Sequence, residues 1–509
     1  MDVLIGFLRL VAWLVVTAAT VTFRLTSAVG DLAARAFRGA STTFGSARWA
    51  TLAELLRSGV LGGNGLIVGK AWGRFLRFNQ DGYAILFAPT RSGKGVGVVI
   101  PNLLAYQGSI ICTDPKGENS AITARHRATL GPVFALNAIH PELSDTFNPL
   151  DMVRTGTFHE ADDALELAKL LVIPDSSEGH WDNRATQLLQ ALIIYVCLRY
   201  ADVPELRNLA KVRSLVALGW NGLEPVIEEA TELGSVTLRD TMGSFQGVAD
   251  TPEAKSVLSN AEKAMALWAA DRPAGFISRE SGFRFEDFNR STMTCFVLVD
   301  EEKLPIYAGF LRVMMGCALM AMTRGKGEAP PKVPTLLLLD EAAAMGRIEP
   351  LETGVGYLAS YARLLLVFQD LDQINRTYPK ARSMIANAGC KIAFGVNDVE
   401  TARMLSDTLG PRTAASHSAG QSRKSLDPSE YQWNQGTSEA GRALLDLSEI
   451  LRLPRKRAIV LFNGAVRFPV LGTKVQYYRE RAWRGLWDPW RSSAKVIPLP
   501  VEPTDQEAA

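Results

Sequence analysis

Residues 83–95 read YAILFAPTRSGKG, and VGVVIPNLLAY follows at 96–106. The opening residues form a continuous apolar run, which predicts a strand buried on both faces of a sheet. A loop containing glycine and lysine comes next, and an apolar helix follows the loop. Strand, loop and helix in this order are typical of a phosphate-binding loop, because backbone N–H groups at a helix N-terminus form a cradle for an anion.

The loop departs from the usual G-x-x-x-x-G-K-[ST] pattern at both ends. Ala88 replaces the first glycine, and Gly95 replaces the residue whose hydroxyl binds Mg²⁺. We predict that Lys94 reaches the β- and γ-phosphates of ATP as a point charge. Thr90, Ser92 or a water must then stand in for the missing hydroxyl. The predicted nucleotide-binding residues of the loop are Pro89, Thr90, Arg91, Ser92, Gly93, Lys94 and Gly95.

A second apolar strand, TLLLL at 335–339, ends in Asp340 and Glu341. Carboxylates at the C-terminal ends of parallel strands face the ligand crevice of an open α/β sheet. We predict that Asp340 binds the nucleotide's Mg²⁺, directly or through water, and that Glu341 orients and polarises the attacking water. Alone, each motif could be an ordinary turn, one with an exposed lysine and one with a capping carboxylate. Together they favour an ATP and Mg²⁺ site.

Two more predicted strands end at the same edge. The run 364–368 precedes Gln369, whose amide we expect beside the γ-phosphate as a sensor of hydrolysis if its strand adjoins the Asp340 strand. The run 109–113 precedes Asp114 and Lys116, and whether Lys116 meets phosphate, DNA or a carboxylate stays open. The predicted catalytic residues are Lys94, Glu341 and Gln369. Arginines near these motifs that could act on a neighbouring subunit are Arg347, Arg363 and Arg403.

The alternation of strands and helices predicts an α/β fold with a parallel-rich sheet. We assign the nucleotide-binding domain to two parts, 81–154 and 286–475, with a separate all-α domain at 155–285, where apolar residues recur at helical spacing. A tail, 476–509, follows. Residues 411–440 are rich in Ser, Gly and Gln and are predicted to form a mobile loop.

The N-terminus is the most apolar part of the chain. Residues 3–23 are interrupted by one charge, Arg9, and a run of about 20 residues can just span a bilayer as a helix. Arginines after the run predict a cytoplasmic C-terminal side. We therefore predict a transmembrane anchor at 1–24 and a juxtamembrane linker at 25–80. A cleaved signal peptide, which usually has a positive n-region lacking here, and a buried soluble helix are the alternatives.

Bulk composition excludes little. The chain of 509 residues has 47% hydrophobic and 21% charged residues, and its net charge of +2 means that any nucleic-acid contact must rely on local patches. The tail tryptophans either form a docking surface or pack back on the body; they are Trp483, Trp487 and Trp490. The cysteines lack metal-ligand spacing and are predicted to be buried thiols in a reducing compartment. They are Cys112, Cys197, Cys295, Cys317 and Cys390.

A set of ordered motifs resembles the type IV secretion system coupling proteins of the TraG class. They are GSARWA (45–50), APTRSGKG (88–95), TDPKGE (113–118), FNPLD (147–151), HWDNRATQLLQALIIYV (180–196), LLDEAAAMGRI (338–348), VFQDLDQI (367–374) and FGVNDVETARMLSDTLG (394–410). The match spans roughly 40–475, and the GKG ending is itself similar to this class. Two membrane spans are common in the class, whereas this chain has one clear span.

The resemblance implies a RecA-like motor domain, a homo-hexamer with ATP at subunit interfaces, and an ATPase body on the cytoplasmic side of the bacterial inner membrane. It also implies an all-α domain that receives cargo, either a relaxase with single-stranded DNA or an effector protein, for a type IV secretion channel. One alternative is a double-stranded DNA translocase of the FtsK or HerA kind. Another is a nucleotide-binding cargo receptor with little hydrolysis, which Gly95 makes conceivable.

Overall fold

The computed structural model describes residues 42–490, except 81, 174–178, 248–250, 326–330, 359 and 424–430. The predicted anchor, 1–24, lies outside the described residues, as does the linker up to residue 41. The chain forms two compact units. One contains 403–450 with the described residues up to Arg48, and the other contains Trp49–Ala402 with the chain from Leu451 onward.

Most strands belong to one sheet in the larger unit. The strands of the described residues are β1 Leu66–Ala71, β2 Arg74–Phe78, β3 Tyr83–Phe87, β4 Ile110–Asp114, β5 Val133–Asn137, β6 Thr294–Leu298, β7 Thr335–Leu339, β8 Ala362–Phe368, β9 Cys390–Ala393, β10 Pro411–Arg423, β11 Tyr431–Ala443, β12 Arg457–Phe462 and β13 Val470–Thr473. Eleven of them form a mixed sheet in the order β2-β1-β13-β12-β9-β3-β8-β7-β4-β6-β5.

The sheet is parallel from β9 to β5 and antiparallel from β9 through β12, β13 and β1 to β2. Every residue of β3, β4, β6 and β7 is buried, which explains their uninterrupted apolar sequences. This confirms the predicted α/β fold with a parallel-rich sheet. Since parallel strands share one direction, the chain segments after β3, β8, β7 and β4 meet at one edge.

The helices of the described residues are α1 Leu52–Arg57, α2 Ile100–Ala105, α3 Glu118–Ala128, α4 Glu160–Leu171, α5 Gly179–Arg199, α6 Leu209–Val216, α7 Gly219–Ala230, α8 Val236–Gly243, α9 Pro252–Met265, α10 Pro273–Ile277, α11 Leu304–Arg324, α12 Glu349–Leu358, α13 Leu371–Thr377, α14 Ala381–Asn387, α15 Val399–Leu409 and α16 Leu447–Leu451. We call residues 155–285 the helical segment, because its described residues contain helices α4 to α10 and no strand.

Side-chain caps set the starts of several helices in this segment. Asn208, Ser235 and Thr251 each accept a hydrogen bond from the backbone N–H three residues on, at the beginning of α6, α8 and α9. Such caps satisfy N–H groups that have no partner within the helix. The starts of these helices are therefore set by single residues of the local sequence.

The predicted linker is wrong where it overlaps the sheet. Within 25–80, β1 and β2 form a hairpin whose two-residue turn, Trp72 and Gly73, has positive φ at both positions. This matches the turn geometry that suits the twist of a hairpin. The signal was weak because the apolar run of β1 is interrupted by Gly69 and Lys70, and the register with β2 shifts between Ile67 and Gly69.

The predicted mobile loop at 411–440 is wrong for its described residues, 411–423 and 431–440. In the smaller unit, β10 and β11 pair antiparallel from Pro411 opposite Ala443 to Arg423 opposite Tyr431. A sequence rich in Ser, Gly and Gln gives no apolar alternation, which is the signal that usually reveals a strand. Ladder hydrogen bonds between backbones do not need that alternation.

Within the described residues, one helix is long and apolar enough to cross a membrane, at Glu301–Arg324. Of the most apolar stretch of this helix, 72% is buried inside the protein. Its apolar composition therefore fits a helix of the protein core. The cysteines are all free and buried, as predicted.

Two of the three tail tryptophans pack against the body. Trp483 is 5% exposed and stacks on Phe75 of β2 with ring centroids 5.2 Å apart. Trp487 packs edge-to-face with Tyr477, and their ring centroids are 5.4 Å apart. Both belong to an apolar cluster that includes Ile100 of α2, the helix behind the predicted phosphate loop. The tail thereby supports that helix.

We expect Trp483→Ala to lower the free energy of unfolding by about 3–5 kcal/mol, because it removes a buried aromatic ring and leaves a cavity. Trp490→Ala is the matched control, since Trp490 is 40% exposed and should change stability by less than about 0.5 kcal/mol. Denaturant titration followed by circular dichroism measures both. Equal midpoint shifts for the two variants would contradict the packing role of Trp483.

Candidate functional site

The predicted phosphate loop connects β3 to a single π-helical turn, Gly95–Val99, that continues into α2. The backbone bends sharply at Arg91 and Gly93, whose φ values are +60° and +90°. Gly93 accepts a hydrogen bond from the Gly97 N–H over 2.8 Å, which closes the first turn onto the loop. N–H groups at such a helix start lack intrahelical acceptors and are available to an anion.

The loop side chains differ in exposure. Pro89 is buried, whereas Thr90 and Arg91 are exposed. Ser92 Oγ is buried and has no hydrogen-bond partner among the described residues. Which of the two hydroxyls, that of Thr90 or that of Ser92, replaces the one missing at Gly95 stays a prediction.

Four predicted site residues converge where β3, β7 and β8 end. Lys94 Nζ lies 3.3 Å from Asp340 Oδ1 and forms an ion pair with Glu341 Oε1. Gln369 Nε2 donates a hydrogen bond to Glu341 Oε2 over 3.1 Å. β8 lies between β3 and β7, so Gln369 follows the strand beside that of Asp340, as its predicted role requires.

The charges of the site depend on one another. Burial opposes the charge on Lys94, but Asp340 and Glu341 outweigh it and raise the lysine's pKa. Burial also raises the pKa of Asp340, with Lys94 acting against this and Glu341 adding to it. Two adjacent carboxylates at a buried strand end need a cation, and in this structure Lys94 supplies it.

Asp340 also fits a divalent cation. Its Oδ1 is buried and accepts no hydrogen bond among the described residues, since the contact with Lys94 is an ion pair without hydrogen-bond geometry. Mg²⁺ prefers carboxylate oxygens and a few waters next to nucleotide phosphates. The oxygen of Asp340 is thus a suitable ligand, and its role in Mg²⁺ binding stays a prediction.

The turn after β7 holds Glu341 in an uncommon conformation. Glu341 has φ +58° and ψ +52°, the left-handed region that non-glycine residues rarely adopt. Thr113 Oγ1 of β4 donates to the Asp340 carbonyl over 2.8 Å, and Glu341 O accepts from the Ala344 N–H over 2.9 Å. Backbone strain of this kind persists only where surrounding contacts enforce it and is frequent at functional sites.

Asp114 and Lys116 have structural partners. The Asp114 carboxylate accepts from the N–H groups of Asn119 and Ser120, at 3.2 and 2.8 Å, at the start of α3. Burial raises the pKa of Asp114 to about 6. Lys116 lies 3.1 Å from the Glu301 carboxylate at the surface. Of the open alternatives for Lys116, the structure shows the carboxylate partner.

Two of the arginines considered as trans-acting groups already have partners. Arg347 forms an ion pair with Glu352 at 2.7 Å. Arg363 lies near the amino end of β8 and donates to the carbonyl of Gln80 at 3.4 Å. Arg403 is exposed in α15. Which of them serves a neighbouring subunit stays a prediction.

Sequence reasoning missed Lys474, which follows β13. Its Nζ donates to the Ser92 carbonyl of the loop over 2.5 Å and lies 5.0 Å from the centre of the Phe394 ring. A Cβ added to Gly93 would be 3.6 Å from this ammonium group. Burial, with a smaller effect of Arg455, lowers the pKa of Lys474. A single lysine after a short strand gives no local signal, so only the fold reveals this contact.

Comparison with known proteins gives a consistent result. The family model described as "Type IV secretory system Conjugative DNA transfer" matches residues 42–498. "Conjugal transfer protein TraG" of Escherichia coli is 29% identical over 453 residues, which cover 81% of this chain and 71% of that protein. "Protein VirD4" of Rhizobium rhizogenes is 27% identical over 462 residues, which cover 87% of this chain and 67% of that protein.

Solved structures share the fold. The bacterial conjugative coupling protein TrwBdeltaN70, in an unbound form, aligns with a TM-score of 0.62 and 16% identity over 88% of this chain and 97% of that one. The plasmid coupling protein TrwB in complex with ADP and Mg²⁺ aligns with a TM-score of 0.59 and 15% identity, covering 86% and 96% of the two chains. At such identities the likeness concerns the fold alone.

We expect Lys474→Met to weaken nucleotide binding roughly tenfold, because it removes a charged hydrogen bond that holds the loop and a cation beside it. Lys474→Arg should retain most of the affinity. Titration with a fluorescent ATP analogue measures the dissociation constants.

Lys391→Met is the matched control. Lys391 is also a half-buried lysine whose pKa is lowered by burial, but it lies in β9 and its Nζ is 3.5 Å from the Ala388 carbonyl, away from the loop. If both methionine variants weakened binding equally, the effect would be one of general stability, and the role of Lys474 at the loop would be wrong.

Proposed function

The chain belongs to the type IV secretory system conjugative DNA transfer family, and on this premise we propose that it is a membrane-anchored, Mg²⁺-dependent ATPase. It couples a relaxase–DNA complex or an effector protein to a type IV secretion channel and drives the transfer by ATP hydrolysis. The observation that carries the proposal is the convergence of Lys94, Asp340, Glu341 and Gln369 beside the phosphate loop.

The contacts of Lys94 and Glu341 indicate how ATP binding would prepare hydrolysis. Lys94 pairs with Glu341 in this structure, so the phosphates of ATP compete with Glu341 for the same ammonium group. Transfer of Lys94 to the β- and γ-phosphates leaves Glu341 free to orient and polarise the attacking water. Gln369 already holds the second oxygen of Glu341 and senses the γ-phosphate next to it.

The remaining ligand contacts follow from the same edge of the sheet. The loop residues Pro89 to Gly95 surround the phosphates, with Lys474 supporting the loop from behind. Asp340 binds Mg²⁺, directly or through water, and the ion neutralises charge that develops on the phosphates. A related coupling protein, TrwB, has been solved in complex with ADP and Mg²⁺, which supports this assignment.

The working assembly is proposed on the family relationship. We infer a RecA-like motor domain, 81–154 with 286–475, that acts as a homo-hexamer with ATP at subunit interfaces. The helical segment is the all-α domain that receives cargo. Residues 1–24 anchor the chain in the bacterial inner membrane by a single span, and the part of the predicted linker before β1 leads into a cytoplasmic body.

One observation favours a second candidate function. Gly95 offers no hydroxyl to Mg²⁺, as in a receptor that binds nucleotide but scarcely hydrolyses it. A double-stranded DNA translocase of the FtsK or HerA kind is disfavoured by the helical segment and by the family match over 42–498. Turnover and DNA preference distinguish these candidates.

We expect the purified chain to hydrolyse ATP with Mg²⁺ and Glu341→Gln to lower kcat by about 10²–10⁴-fold while it still binds nucleotide, since it removes the base. Lys94→Ala should lose nucleotide binding as well. Glu349→Gln, at an exposed ion pair with Lys169, is the matched control and should turn over like the unaltered protein. If the unaltered protein were no faster than Glu341→Gln at concentrations that allow assembly, the chain would be a nucleotide-binding receptor.

We expect single-stranded DNA to stimulate ATP turnover more than an equal mass of duplex DNA. The stimulation should fall steeply between about 50 and 200 mM salt, because phosphate contacts release counterions. Steady-state assays across a salt series measure this. Stimulation by duplex DNA alone would favour a double-stranded translocase, and no response to either DNA would favour a receptor for effector proteins.

A further inference from the structure

Arg312, in the middle of α11, is a buried cation held by three carbonyls. Arg312 is only 2% exposed. Among the described residues, no carboxylate forms an ion pair with it. Burial lowers its pKa to about 10, so the guanidinium is still charged at neutral pH. A buried charge is costly unless hydrogen bonds replace its hydration. The identity of its partners therefore matters.

The first two partners are the last carbonyls of α4 in the helical segment. Arg312 Nε donates to Leu170 O over 2.6 Å, and Nη2 donates to Leu171 O over 3.2 Å. Carbonyls at a helix C-terminus lack intrahelical donors and carry partial negative charge. Arg312 thus caps α4 from a different part of the chain.

The third partner lies in the turn that carries the candidate site. Arg312 Nη1 donates over 3.3 Å to the carbonyl of Met345, at the end of the short 3₁₀ turn that begins after Glu341. The next residue, Gly346, has φ +70°, and a Cβ placed there would be 3.6 Å from Nη1. The chain therefore folds closely around the guanidinium just after Glu341.

We propose that Arg312 is a positioning residue for hydrolysis, which fixes the turn bearing Asp340 and Glu341 to the end of α4 in the helical segment. The proposal rests on the proposed ATPase function. It connects the helical segment to the turn that carries the candidate site. The hydrogen bonds of Arg312 go to Leu170, Leu171 and Met345, none of which belongs to the phosphate loop. It acts by holding the far end of a turn whose near end, at Glu341, is strained.

The surroundings allow this connection to respond to the helical segment. Arg312, Leu171 and Val172 border a cavity of about 190 Å³, which also touches α9 and the start of α11. Residues that border a cavity are less tightly constrained than residues in a close-packed core. A shift of α4 would change the hydrogen bonds of Arg312 and, through Met345, the position of Glu341. Cargo on the helical segment thereby gains a way to alter ATP turnover.

The test compares Arg312→Met and Arg312→Lys with the control Arg127→Met in the full chain. Arg127 is the matched case: a fully buried arginine whose pKa burial lowers to about 10, and whose guanidinium donates to the carbonyls of Tyr106 and Gly108 and to Thr294 Oγ1. Thr294 begins β6, so Arg127 lies at the edge of the sheet opposite the site.

Two readouts are needed. For Arg312→Met we expect kcat to fall about 10–100-fold, because small misplacements of a catalytic group are costly, while KM for ATP changes less than about twofold. We also expect hydrogen exchange without nucleotide to speed up at least about tenfold in both 168–172 and 342–346. Arg127→Met should lower stability, but it should leave kcat unchanged and should not selectively speed up exchange in 168–172 or 342–346.

Arg312→Lys separates charge from geometry. A lysine retains the charge at the α4 end but cannot reach three carbonyls in the arginine's fixed fork. We expect protection of 168–172 to be largely restored and kcat to stay low. A kcat equal to that of the unaltered protein in Arg312→Met, or unchanged exchange in 342–346, would overturn the proposal. If the unaltered protein showed no turnover, the ATPase function itself would fail, and exchange in 342–346 would still decide the positioning role.

Discussion

The ion pair between Lys94 and Glu341 is the interaction on which the candidate site depends. Asp340 and Glu341 are adjacent carboxylates at the end of a buried strand, and their charges are unfavourable there without a cation. Lys94 provides that cation only because β3 lies one strand away from β7, with β8 between them. The order of strands, the loop after β3 and the turn after β7 are thus constrained by one electrostatic requirement. In the proposed function, a Mg²⁺ ion beside Asp340 meets the same requirement when Lys94 turns to the phosphates.

The central strands of the parallel part of the sheet are buried on both faces, so they leave polar side chains only at their ends. A strand in that position contributes function only where it ends, so the polar residues of the site are those that immediately follow an apolar run. Thr113, in β4 next to β7, adds a hydrogen bond to the Asp340 carbonyl. Arg312 adds another at Met345. Glu341 keeps its left-handed backbone between these two supports.

Local sequence predicted the strands, the loop and the residues at the strand ends, because an apolar run followed by a polar residue is a local pattern. It failed for the hairpin of β1 and β2, where Gly69 interrupts the apolar run of β1, and for β10 and β11, whose composition carries no alternation. Lys474 and Arg312 were missed for another reason. Each acts on a backbone carbonyl that is distant in sequence, at Ser92 for Lys474 and at Leu170 and Met345 for Arg312. Every residue has a backbone carbonyl, so the residue type at the accepting position does not predict such a hydrogen bond.

The sequence by itself determined the parallel α/β core, the phosphate loop and the identity of Lys94, Asp340, Glu341 and Gln369 as candidates. These follow from hydrophobic periodicity and from the rule that parallel strands present their carboxyl ends at one edge. Only the tertiary structure decided that Lys94 neutralises Glu341, that Ser92 rather than Thr90 has the buried hydroxyl, and that α4 is tied to the turn after β7. Those outcomes depend on strand order and on distances between distant segments. Local periodicity records which face a residue occupies, but not which other segment lies against it.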